Sequence, residues 1–148
     1  MNRESLMAKQ KPVIKLHSYG LYSAWDSKSK NLPQIKEFTT DIIAELDVEF
    51  GFIINIKNAR GMKIFYCIDH PGILDDQGKR RQPFTGEVHI TNNDWDFYLG
   101  DTIWTPIEDK CGDWRMSILL NNKTIAEKTF AVQAENNDSD FKQRFFYP

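Results

Sequence analysis

Between Val48 and Lys57 an apolar side chain falls at every second position: Phe50, Phe52, Ile54 and Ile56 share one face of an extended chain. The same alternation predicts strands elsewhere. "VIKLHSYGLY" (13–22) reads as a first strand, with Gly20 marking a bulge or a close backbone approach. "MKIFYCI" (62–68) follows 48–57 across the turn "ARG" (59–61), a near-hairpin. In "TGEVHI" (85–90), Val88 and Ile90 face one way. The clearest hairpin joins "WRMSILL" (114–120) to "TIAEKTFAV" (124–132) across the polar "NNK" (121–123). Trp114, Met116, Ile118 and Leu120 form its inner face, matched by Phe130 and Val132.

Two stretches are harder to read. In "QIKEFTTDIIAEL" (34–46), Ile35, Phe38, Ile42 and Leu46 are spaced for one helical face, while Thr39–Thr40 and Ile42–Ile43 favour a strand. We read it as a strand; the fallback is an α+β domain with a helix there. In "NDWDFYLGDTIW" (93–104), Trp95, Phe97 and Leu99 fall on one face and Asp94, Asp96 and Tyr98 on the other. A bulge at Gly100–Asp101 would flip the parity and bury Trp104 in place of Ile103. We expect that bulge, because Trp104 is the larger apolar group. Tyr98 is then left exposed among acidic neighbours.

The expected architecture is all-β: an antiparallel sandwich of about seven or eight strands. We divide the chain into a loose N-terminal segment (1–12), the sandwich (13–132) and a C-terminal tail (133–148).

Composition narrows the class. The 148 residues suit one domain with a real core, and 13% aromatics suit half-buried pleated surfaces. A formal net charge of −2 gives no basic field for nucleic acid or an anionic membrane, and we expect neither as a partner. No apolar run reaches bilayer-spanning length, and "MNRESLMAKQKPVIKL" has no apolar signal core. We therefore expect a cytoplasmic protein, in which Cys67 and Cys111 are free thiols.

Sites with a mechanism are scarce. There is no GxGxxG, GxxxxGK[ST] or GxSxG. Cys67 and His70 form C-x-x-H, with His89 and Cys111 as distant partners, but that spacing matches no usual zinc site. Asp94, Asp96 and Asp101 break the calcium-loop pattern, since Trp95, Phe97 and Tyr98 intervene. Outward carboxylates on a strand edge, which discourage aggregation, are the better reading. Asp69 and His70 are neighbours on an extended chain and point to opposite faces. The basic tip Lys79–Arg81 lacks interleaved aromatics and reads as a solvated loop. No cofactor or metal is expected.

Four segments carry a resemblance: "GLY" (20–22), "TTDIIAELDVEFGFIINI" (39–56), "CIDHPG" (67–72) and "GDWRMSILLNNKTIAEKTFAV" (112–132). In that order they resemble a bacterial family known as domain of unknown function 3859, over roughly residues 13–132. The resemblance implies an Ig-like β-sandwich and carries no established activity or site residues. That fold admits one inter-sheet disulfide, so pairing of Cys67 with Cys111 stays open.

The expected function is therefore a non-enzymatic binding or protein-interaction module. Its candidate contacts are Tyr98 and Asp96, with Phe146 and Tyr147 in the aromatic tail "FKQRFFYP", which would dock a protein partner or a second copy. The alternative is an enzyme, or a binder of small carbohydrate-like ligands, with a dispersed loop site around Asp69, His70 and Asp101.

Overall fold

The alternating segment 48–57 becomes the strand on which one whole sheet is built. A computed structural model describes residues 10–26, 28 and 31–135. In these residues lie β1 (Val13–Tyr22), β2 (Ile35–Phe38), β3 (Asp41–Ile43), β4 (Glu49–Lys57), β5 (Lys63–Asp69), β6 (Phe84–His89), β7 (Asp94–Thr102), β8 (Gly112–Leu120) and β9 (Lys123–Gln133). A single 3₁₀ turn, Glu108–Lys110, precedes β8. The first sheet has the order β2-β1-β4-β7 and the second β3-β9-β8-β5-β6. All pairings are antiparallel except β3 with β9.

Residues 34–46 are extended, as read, but they make two strands in different sheets. Thr39 Oγ1 accepts a hydrogen bond from Asp41 N at 3.0 Å and turns the chain. β2 then stays on β1 while β3 crosses to lie parallel to β9. This split is why nine strands appear where eight segments alternate. The 114–132 hairpin closes with Leu120 paired to Lys123, so Asn121 and Asn122 form a two-residue turn. Both have positive φ, 53° and 63°, the left-handed geometry that asparagine tolerates and a type I′ turn requires.

The core lies between the sheets. Phe50, Phe52, Ile54 and Ile56 of β4 face Trp114, Met116 and Ile118 of β8, and all are buried. The Phe50 ring sits edge-on to Trp114 at 5.2 Å and to Phe130 at 5.5 Å. At Gly20 the close approach is realised: a Cβ there would fall 2.0 Å from Glu37 O of β2.

The expected bulge in β7 does not form. Nine successive pairs, from Glu49–Thr102 to Lys57–Asp94, run without a register shift. Parity therefore continues, Ile103 enters the core at 0% exposure, and Trp104 remains outside at 36%. The larger apolar area of Trp104 does not decide the matter, because shifting one residue would break the ladder to the central strand. Instead, the Lys110 ammonium lies 4.3 Å over the Trp104 ring.

Tyr98 follows the predicted parity but not the predicted exposure. It is on the outer face of the first sheet, yet only 3% exposed. Trp25, just after β1, folds over that face and meets the Tyr98 ring edge-on at 5.1 Å, with Tyr22 at 5.0 Å. Gly100 leaves the space the ring needs: a Cβ there would lie 2.1 Å from the Tyr98 hydroxyl.

The β7 register makes a direct prediction. Ile103→Ala should cost about 2–5 kcal/mol of unfolding free energy, and Trp104→Ala about 1 kcal/mol or less. Chemical denaturation measures both; the reverse order would mean that the parity is flipped.

Candidate functional site

β7 and β6 are the outer strands of the two sheets on the same side of the sandwich, joined directly through residues 90–93. No described strand pairs with the free edge of either. Between them opens a cleft of about 390 Å³. Ile68, Phe84 and Val88 line it from the second sheet, and Phe97, Leu99 and Asp101 from β7. Tyr66 also borders it, and Trp25 and Tyr98 complete the rim across the β7 backbone at Gly100. Phe97 and Trp95 are half-buried because β7 is a sheet edge. Their rings stack at 5.3 Å, and Tyr66 lies 6.4 Å from Phe97. Tyr66 reaches its place because it pairs with Gly86, where a Cβ would sit 2.5 Å from its hydroxyl.

Asp101 supplies the one carboxylate in this lining. Thr102 N donates to its Oδ1 at 2.8 Å, and no described residue donates to its other oxygen. Burial pushes its carboxyl up to about 6; the nearby Glu49 charge adds to the rise, and the Thr102 amide and Lys110 oppose it. Behind the rim, Glu49 is buried and accepts hydrogen bonds from Tyr98 Oη and Thr102 Oγ1, each at 2.5 Å. Burial raises the Glu49 carboxyl above its ordinary value despite those two donors. Burial foremost, with the Glu49 charge next, drives the Tyr98 phenol strongly upward. It therefore stays protonated and serves as a donor.

The other sequence-derived residues lie elsewhere. Asp96 is exposed on the outer face of the first sheet, where Asn55 Nδ2 donates to its Oδ1 at 2.8 Å and to Asp94 Oδ1 at 2.6 Å. Asp101 is at the far end of β7 on the inner face, so the three aspartates do not converge. Phe146 and Tyr147 lie outside the described residues. Asp69 is ion-paired to Arg80 at 3.2 Å, and Arg80 also donates to His70 O at 2.7 Å, which commits one of the three charges of the basic tip.

His70 is 1% exposed, between Phe84 and Trp114. Its Nδ1 accepts from Ile73 N at 2.9 Å and its Nε2 faces Gln82 O at 3.3 Å. A neutral ring protonated on Nε2 satisfies both contacts, so both nitrogens hold the 70–82 loop in place. His70 does not line the cleft, and Asp69, His70 and Asp101 form no common site. Cys67 and Cys111 are unpaired thiols. Among the described residues no three His, Cys, Asp or Glu side chains are grouped to hold a metal ion. Nor is any described helix long and apolar enough to cross a membrane.

Sequence reading missed Trp25, Tyr66 and Phe84 as site residues. Trp25, an aromatic inside the polar "SAWDSK", was the available signal. Tyr66 and Phe84 sit in strands whose edge position is visible only once the sheet order is known.

Raised carboxyl values set a pH dependence. With its folded value above the unfolded one, Asp101 holds its proton in the native state after the unfolded chain has lost it. Its contribution to stability is full below about pH 4 and is lost as pH rises through about 6. Asp101→Asn keeps an acceptor for Thr102 N. It should be more stable than the parent at pH 7.5 by on the order of 1–3 kcal/mol, with the difference vanishing near pH 4. Urea melts across this range check it; a parent that is more stable at pH 7.5 would contradict the raised value.

Comparison with known proteins fits this architecture. A family model described as Domain of unknown function (DUF3859) matches residues 10–132. An immunoglobulin-like protein from Pseudomonas aeruginosa is similar in structure, with a TM-score of 0.71 at 21% identity, covering 85% of this chain and 99% of that one. A DNA-bound alkylpurine DNA glycosylase from Pseudomonas fluorescens gives a TM-score of 0.39 at 13% identity, covering 82% of this chain. This chain spans 30% of that protein, and the likeness is too low to bear on its role. No curated protein matches the sequence significantly. The chain belongs to the DUF3859 family and has an Ig-like β-sandwich fold.

Proposed function

We propose that this member of the DUF3859 family is a non-enzymatic binding module whose working surface is the aromatic cleft between β6 and β7. The cleft itself carries the reading: a concave, mostly apolar space of about 390 Å³ with a single carboxylate. That is the usual make-up of a small-ligand site, whose volumes run from about 300 to 1,000 Å³. Two groups that would serve an acid–base reaction support the same reading, because they are committed elsewhere. His70 is consumed by the loop it holds, and Asp69 by Arg80. The unpaired thiols are compatible with a reducing compartment, and we place the module in the cytoplasm.

A second hollow, about 420 Å³, lies on the outer face of the second sheet over Phe65, Cys67, Glu87 and Leu119. It is more open and has fewer aromatic walls, so the cleft is the better site. Tyr98, expected as an exposed contact, enters this reading as part of the cleft rim.

Aromatic fragments titrated into ¹⁵N-labelled protein should shift amides of Tyr66, Phe84 and Phe97–Asp101. Phe97→Ala should weaken the tightest of them about fivefold or more. Shifts confined to Phe65 and Leu119, or binding indifferent to Phe97→Ala, would sink the assignment.

A further inference from the structure

Asp101 is an unusual group to find in an aromatic cleft. One of its oxygens is held by Thr102 N and the other is unpartnered among the described residues. Asp101 is half-buried, and no side-chain oxygen sealed from solvent lacks a partner among the described residues, so its second oxygen is open to the cleft, where a ligand can reach it. No described cation compensates it closely. The Lys110 ammonium is committed to Asp109 at 2.7 Å and to Pro106 O at 2.9 Å. The other ionisable groups that feel it are Glu49 and Tyr98; Glu49 adds negative charge and Tyr98 is neutral. This end of the cleft therefore presents an acceptor lacking a cation, beside ring faces that also attract positive charge.

We infer that the cleft binds a small organic cation, an alkylammonium bearing an apolar or aromatic arm, with the charge at Asp101 and the arm among Tyr66, Phe84 and Phe97. The inference rests on the proposed binding role and assigns the ligand its chemical class. Three observations agree on it. The volume of about 390 Å³ suits a free small molecule. The lining is apolar except at the carboxylate end, which fixes the direction in which such a ligand would enter. The available charge at that end is negative, so an anion is repelled and a neutral ligand, though it can donate a hydrogen bond, leaves the Asp101 charge uncompensated.

Asp101 also predicts how such binding responds to pH. Its carboxyl is pushed up to about 6 by burial, with Glu49 raising it further and Lys110 lowering it. A cation needs the ionised form, so affinity for it should rise between pH 5 and 7.5, by about tenfold if only that form binds.

The test uses three probes of similar shape on the full chain: phenethylammonium, neutral 2-phenylethanol and anionic 3-phenylpropionate. Amide shifts locate each, and titration gives its Kd. The ammonium should bind at the cleft at least about tenfold more tightly than the alcohol at pH 7.5, and the carboxylate not at all. Asp101→Asn should erase the preference for the ammonium and its pH dependence, while leaving the alcohol's Kd within about twofold. The pH series on the unmodified protein gives the same answer if that variant folds poorly. Equal cleft binding of alcohol and ammonium would overturn the cationic class and leave the binding role standing. No probe in the cleft would overturn both. Tighter binding of N-acetyl-lysine methylamide than of phenethylammonium would overturn the assignment to a free small molecule, in favour of a lysine side chain.

Discussion

The uninterrupted ladder between β4 and β7 holds the site together. β4 is buried along nearly its whole length, and every residue of β7 is paired to one of its residues. A central strand with a fixed inner face leaves its neighbour no freedom of register, since a slip of one residue would exchange the two faces. Asp101 is consequently set opposite Phe50, at the inner face, and Tyr98 opposite Ile53, at the outer one. The glycines follow from the same ladder. Gly51 pairs with Gly100; a Cβ at Gly51 would strike the β7 backbone, and the space Gly100 leaves is filled by the Tyr98 ring reaching toward Glu49. Aromatic rim and carboxylate wall are thus two consequences of one pairing.

The cleft itself arises where pairing stops. The chain leaves the second sheet at β6 and enters the first at β7, so two unpaired edges end up side by side. On the opposite side of the sandwich, β2 and β3 are short segments of one run that crosses between the sheets. Apolar residues facing inward on an edge have fewer neighbours than those on a central strand. Phe97 and Trp95 are therefore half-buried while Phe52 and Ile54 are wholly so. An edge also exposes unpaired backbone groups, and the outward Asp94 and Asp96 keep that edge charged.

The strands of the core were legible in the sequence because apolar alternation and turn residues agreed. Alternation in 48–57 and 114–132, with asparagines at the turn, left few alternatives. The segment 34–46 reads as extended from its residues, but its division between two sheets depends on Thr39 Oγ1 accepting from Asp41 N, which no periodicity reveals. The Trp104 misreading has a more general cause. Apolar area is a sound guide when register is free, and here register was already fixed by β4. Tyr98 escaped for a different reason: its cover is Trp25, brought over the sheet by tertiary folding. The cleft residues are scattered over Trp25, Tyr66, Phe84, Phe97 and Asp101, and only sheet order unites them. His70 was conspicuous as a lone histidine beside Asp69, and its burial between aromatic rings shows how often such a residue serves structure.

Everything proposed for the cleft turns on Asp101, a half-buried carboxylate on an aromatic wall with one protein donor. Direct titration of its side-chain ¹³C resonance tests it with no ligand assumed. A midpoint near 6 is expected in the free protein, moving downward when phenethylammonium is added. A midpoint near 4, unmoved by the ammonium, would contradict it.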